Sequence, residues 1–115
     1  MTRPLLIVGS AASLWDDLAA LGVWPGPVMA VNRAGAFHQG RLDHWVSLHP
    51  DQLGAFMAER VARGGDLSMT TWCQKEHAGV RVDRVEAALD RTGSSGLFAV
   101  RIALQRLGHN PAGPP

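Results

Sequence analysis

The sequence predicts an α/β domain on a small, mostly parallel sheet, and three observations carry that reading. Short apolar runs alternate with segments of helical period, which is the pattern of βαβ units rather than of a sandwich or a bundle. Glycine and proline punctuate the chain between those segments, as at Gly22, the WPGP stretch of 24–27 and Gly64–Gly65. A chain of 115 residues with 46% hydrophobic and 18% charged content can bury one core, which bounds the answer at a single domain.

The first strand is expected over residues 4–8 and a helix over about 14–21, broken by Gly22 and the WPGP turn. VMAVN, 28–32, is the second strand, and RAGAFHQGRL supplies one helical turn and a loop. DHWVSLH, 43–49, has the aromatic and β-branched content of a third strand. Pro50 then opens a helix in which Leu53, Phe56, Met57 and Val61 form an apolar stripe while Glu59, Arg60 and Arg63 face water. Gly64 and Gly65 end it, and LSMTTW, 67–72, is the fourth strand. Residues 73–91 carry no legible period and receive no assignment. The last element is a helix over 93–108, apolar on most of its circumference, with Arg101, Gln105 and Arg106 on a narrow polar face. No internal repeat is expected, and HNPAGPP, 109–115, is a Pro/Gly-rich tail with no capacity for a strand.

Composition excludes several functions. The formal charge is +1, from 11 basic and 10 acidic residues that are scattered along the chain, so no nucleic-acid footprint is expected. The one cysteine, Cys73, cannot form an internal disulfide, and MTRPLLIV lacks the apolar run of a secretory signal, which points to a cytoplasmic protein. No stretch approaches the roughly 18 uninterrupted apolar residues of a membrane span.

In right-handed βαβ units the turn after each strand lies at the carboxyl edge of the sheet, where ligands bind and the next helix begins. Helix starts expose unpaired N–H groups and carry about half a positive charge, so a glycine-serine turn there lets an anion approach the backbone. Two such starts are present. One is GSAAS, with Gly9, Ser10, Ala11 and Ser13; the other is TGSSG, with Thr92, Gly93, Ser94, Ser95 and Gly96. Asn32 ends the second strand and His49 the third, which puts four polar features on one edge.

Each piece also has a plainer role. Ser13 with Asp16 reads as a capping box, Ser94 and Ser95 as N-caps, and Asn32 as a residue closing its own turn. GSAAS is neither a dinucleotide fingerprint nor a P-loop, and Asp16 competes with a phosphate for the same N–H groups. His44 and His49 fall on opposite faces of a strand, and Cys73 with His77 lacks the further ligands of a zinc site. No metal is expected. Nothing in the sequence lowers the Cys73 thiol pKa for nucleophilic work, and Trp15, Trp24, Trp45 and Trp72 read as packing residues because no basic residues interleave with them.

LLIVGSAASL, VMAVN, LDHWVSLHP and GSSGLFAVRIALQRLG, in that order, resemble a Rossmann-like group that includes the MptE-like (domain of unknown function 115) proteins and bacterial sialyltransferases; small phage and prophage proteins look similar. In that group a G-x-G-P-S-L turn follows the first strand, an Asn ends the second, and T/S-S-G opens a helix closing in A-x-x-L-G. Here GSAASL, Asn32, and Ser94, Ser95 and Gly96 with residues 103–108 stand in those places. Ala12 replaces the usual Pro, and nothing corresponds to the strand after the last helix, so the resemblance implies a C-terminally truncated member. The sialyltransferases' catalytic His also has no counterpart, and His49 is not that residue.

The resemblance implies a single three-layer Rossmann-like domain over 1–108. It also implies a nucleotide or nucleotide-activated ligand of CMP or ATP type, with Mg²⁺, held at these turns. Backbone N–H groups at Gly9 to Ala11 and Ser94 to Gly96 would hold phosphate oxygens, Asn32 the ribose or base, and His49 would be the general acid or base of any transfer. The competing expectation is a non-enzymatic accessory or assembly protein, of phage or prophage type, that self-associates through its last helix.

Overall fold

The computed structural model describes residues 5–9, 26–38, 40–87 and 95–108. Among the described residues five strands form one sheet in the order β1-β2-β3-β4-β5, every neighbouring pair parallel. They are β1 (Leu6–Val8), β2 (Val28–Val31), β3 (His44–Val46), β4 (Thr70–Cys73) and β5 (Arg84–Val85). Among the described residues three helices accompany them: α1 (Ala34–Phe37), α2 (Pro50–Ala62) and α3 (Ser95–Gln105). The α/β class and the parallel sheet are as the sequence predicts, and the single turn of α1 falls inside the RAGAFHQGRL segment. The helix expected over 14–21 and the tail of 109–115 lie outside the described residues.

Strand alternation divides the core into two clusters. Val28 and Ala30 of β2, Trp45 of β3 and Cys73 of β4 pack with Ala34 of α1 and with Leu53 and Met57 of α2. Met29 and Val31 of β2, Val46 and Trp72 take the alternate positions and pack with Phe98, Ala99 and Ile102 of α3. Pro50 stands at the start of α2, where its missing N–H costs no bond. Gly64, at φ +90, turns the chain out of α2, while the Gly65 N–H bonds the Arg60 carbonyl in a Schellman arrangement.

Three expectations need correction. Arg60 does not face water. It is 2% exposed, and its guanidinium donates to the carbonyls of Gly35, His38, Gly40 and Asp66, tying the α1 segment to the end of α2. Val61, expected on the apolar stripe, is 52% exposed. The fourth strand begins at Thr70 rather than at 67, because the carbonyls of Leu67 and Met69 are taken by Arg81. The unassigned segment holds β5, a two-residue strand at the sheet edge with both residues exposed, which leaves no apolar pattern to read.

The sequence contains a short Arg-x-Asp repeat where no internal repeat was expected. Arg41-Leu42-Asp43 precedes β3 and Arg81-Val82-Asp83 precedes β5. Asp43 accepts from the Val28 N–H at 2.8 Å and Asp83 from the Thr71 N–H at 2.9 Å, so each carboxylate closes the start of the preceding strand. Each arginine lies beside its aspartate, at 3.5 and 3.4 Å, and reaches a carbonyl before that preceding strand. The repeat holds the amino-terminal end of the sheet and leaves the carboxyl end free for other work.

Candidate functional site

The carboxyl ends of β2, β3 and β4 meet the starts of α2 and α3 in one hydrogen-bonded rim. Asn32, just past β2, adopts φ +53, a left-handed conformation that asparagine tolerates better than most side chains. Its carbonyl accepts from Trp45 Nε1 at 2.6 Å, and its N–H extends the sheet ladder to the Val46 carbonyl. Asn32 is therefore held by the core on its backbone side.

Ser47 connects this turn to the next. Its hydroxyl, fully buried, donates to Asn32 Oδ1 at 2.7 Å and accepts from the His49 N–H at 2.9 Å. With the hydroxyl's proton on Oδ1, the Asn32 Nδ2 donors are turned to the other side. His49 is the N-cap residue of α2; it makes no side-chain cap bond and is exposed.

Leu48 is clamped through both of its backbone groups. Its N–H donates to Ser95 Oγ at 3.0 Å, and its carbonyl accepts from Gln74 Nε2 at 2.8 Å. The start of α2 and the first described turn of α3 are thereby joined through one residue, so the partial positive charge of the α2 amino-terminus lies next to α3. Asp51 in the first turn of α2 offsets part of that field. Gln74 Oε1 is buried and has no hydrogen-bond partner.

Of the residues expected from sequence, Asn32, His49 and Ser95 come together on this rim, with Gly96 exposed beside Ser95. Gly9 follows β1, and the register Val8↔Ala30 sets it beside Val31, one residue short of Asn32. A side chain added at Gly9 would meet no atom within 4 Å, so its backbone borders open space. Ser10, Ala11, Ser13, Thr92, Gly93 and Ser94 lie outside the described residues. Ser47 and Gln74 are new. Their signal was a lone polar residue at the end of each apolar strand, at positions that reading strands by apolar content passes over.

The remaining candidates stand apart. Cys73 is buried, and burial pushes its thiol up to about 11, the opposite of activation. Among the described residues no group of three or more His, Cys, Asp or Glu could hold a metal ion. An open depression of about 390 Å³ on the loop after β4, lined by Glu76, His77, Ala78, Val80 and Val82, contains none of the rim residues. No helix among the described residues is long and apolar enough to cross a membrane. Comparison with protein-family models, curated proteins and solved structures finds no match to this chain.

Proposed function

We propose that the carboxyl rim of the sheet binds a nucleotide or nucleotide-sugar. The observation that carries the proposal is the bond from the Leu48 N–H to Ser95 Oγ, which draws the start of α2 and the first described turn of α3 together next to an asparagine whose amide is already oriented. The Ser95 hydroxyl, which accepts from Leu48, still has its own proton to give to a phosphate oxygen, and the positive end of the helix dipole favours an anion there. Asn32 Nδ2 suits a ribose hydroxyl or a base carbonyl. Gly9 offers close backbone approach from the neighbouring strand, and Ser10, Ala11, Ser13, Thr92 and Ser94 belong to the same reading through the sequence.

If the bound nucleotide is a donor in group transfer, His49 is the side chain at this rim suited to exchange a proton with the reacting group. The imidazole is exposed and its backbone is fixed by Ser47. A thermal-shift screen of the full chain with CMP, CDP, ATP and GTP, with and without Mg²⁺, tests the proposal. A true ligand at a hundred times its dissociation constant adds about 2.7 kcal/mol of stability, and absence of a shift with all four contradicts the reading.

A further inference from the structure

Gln74 directly follows β4 as Asn32 directly follows β2, and these two strands flank β3. Each strand with its carboxamide then leads into an Arg-x-Asp segment whose aspartate closes the amino end of that same strand. The two carboxamides therefore hold equivalent places on the rim, one on either side of Ser47 and Leu48, about 10 Å apart at the backbone, which is two inter-strand spacings. Their bonding is complementary. Asn32 spends its oxygen on Ser47 and keeps Nδ2 to give. Gln74 spends Nε2 on the Leu48 carbonyl at 2.8 Å; a carbonyl only accepts, so the NH2 end of the amide faces it and Oε1 is turned away. That oxygen is buried and has no hydrogen-bond partner. A buried acceptor has given up water, and a missing donor is then its costly state.

We infer that Gln74 is the specificity-determining residue of the rim: its Oε1 takes the exocyclic amine of a cytosine- or adenine-type base and rejects the keto counterpart, a role that rests on the nucleotide binding proposed above. The backbone of Leu48 places it for that work. The Leu48 N–H holds Ser95, where a phosphate oxygen is met, and the Leu48 carbonyl holds Gln74, so the two contacts stand on opposite sides of one residue. The group that completes Oε1 must be a donor. Phosphate oxygens accept, and Asn32 Nδ2, across β3, suits the ribose hydroxyls, which leaves the base. Adenine and cytosine present an NH2 donor where guanine, hypoxanthine, thymine and uracil present an oxygen. A keto base in the same pose sets oxygen against oxygen at a place that water does not reach. A site that hydrogen-bonds one ligand group rejects the analogue lacking it more strongly than an apolar pocket rejects a change of size, because its own buried polar atom is left unpaired.

Calorimetric titration of the full native chain with two matched pairs, CMP against UMP and ATP against ITP, reads the preference directly, since the members of a pair differ only at the amine-bearing edge of the base. The amino member of each pair is expected to bind about tenfold or more tightly than its keto partner. Gln74→Met, similar in length but without the amide, is expected to bring each pair within about twofold, chiefly by weakening CMP and ATP. In the native chain the side-chain NH2 resonances of Gln74 shift with CMP and not with UMP, a response that a purely structural amide does not give. Equal binding within either pair, tighter binding of a keto member, an unmoved Gln74 amide, or a preference that survives Gln74→Met overturns the inference and leaves nucleotide binding at the rim standing. Absence of binding by all four overturns the rim proposal and this inference together.

Discussion

Ser47 donates to Asn32 Oδ1 at 2.7 Å from a fully buried position, and that bond fixes which edge of the asparagine amide is offered at the rim. Replacing Ser47 by Ala leaves Asn32 Oδ1 and the His49 N–H without their partner. The expected loss is about 1–3 kcal/mol of stability in urea unfolding. Nucleotide affinity is expected to fall further than the matched variant Thr70→Ala, at the opposite end of the sheet, would cause.

Asn32 separates backbone strain from side-chain chemistry. Asn32→Gly relieves the left-handed conformation at φ +53 but deletes the acceptor of the buried Ser47 hydroxyl, at an expected cost of about 1–3 kcal/mol, and nucleotide affinity falls. Asn32→Ala loses the amide and keeps the strain, adding roughly 1–2 kcal/mol of destabilisation over the glycine variant. Equal stability of the two variants would show that the turn is not under conformational constraint.

Arg60 is expected to be the most sensitive single charge in the protein. Arg60→Ala strands four carbonyls, those of Gly35, His38, Gly40 and Asp66, and is predicted to cost about 3 kcal/mol or more by denaturant unfolding. Arg60→Lys recovers only part, because one ammonium cannot reproduce the planar fork. Gly35→Ala is a related test. A methyl group there would overlap Trp45 Cε2, Nε1 and Cζ2, and the expected cost is about 1–3 kcal/mol.

Burial, with Arg60 adding to it, holds the His38 imidazole below its usual pKa. The unfolded chain therefore binds the proton more readily than the folded one. Stability from this group is complete above the unfolded value of about 6.5 and is lost as pH falls below it, toward the lower folded pKa. Melting temperature is expected to drop between about pH 7 and pH 5, and His38→Gln to flatten that part of the profile. A profile unchanged by the substitution contradicts the assignment.

Cys73 should resist alkylation. With its thiol raised to about 11 and its side chain buried, iodoacetamide at pH 8 is expected to label the folded chain slowly and the urea-unfolded chain at the rate of a free thiol. Fast labelling of the folded chain would mean that the β4 core opens readily.

The parts of the fold that sequence made legible are those where apolar content and period agree. VMAV reads as β2 because strand burial on both faces leaves no polar residue in it, and Pro50 with Gly64–Gly65 brackets α2 within a residue or two. Arg60 was misread because helical period places it beside Glu59 and Arg63. Nothing local announces that carbonyls from the α1 segment, some 20 to 25 residues earlier, will surround it. β5 was missed because its two residues are exposed, and the Arg-x-Asp repeat because its meaning lies in bonds to the preceding strand. At the rim, Asn32 and His49 were visible as strand endings. Ser47 lies inside the segment read as the third strand, and only its two hydrogen bonds give it a place at the rim.

Amide chemical-shift mapping of the full chain with CMP and with ATP tests the binding rim most directly. The account predicts saturable shifts clustered at Gly9, Asn32, Leu48, His49, Ser95 and Gly96, reduced in Asn32→Gly. Shifts confined to Glu76 through Val82, or none with either nucleotide at millimolar concentration, would contradict it.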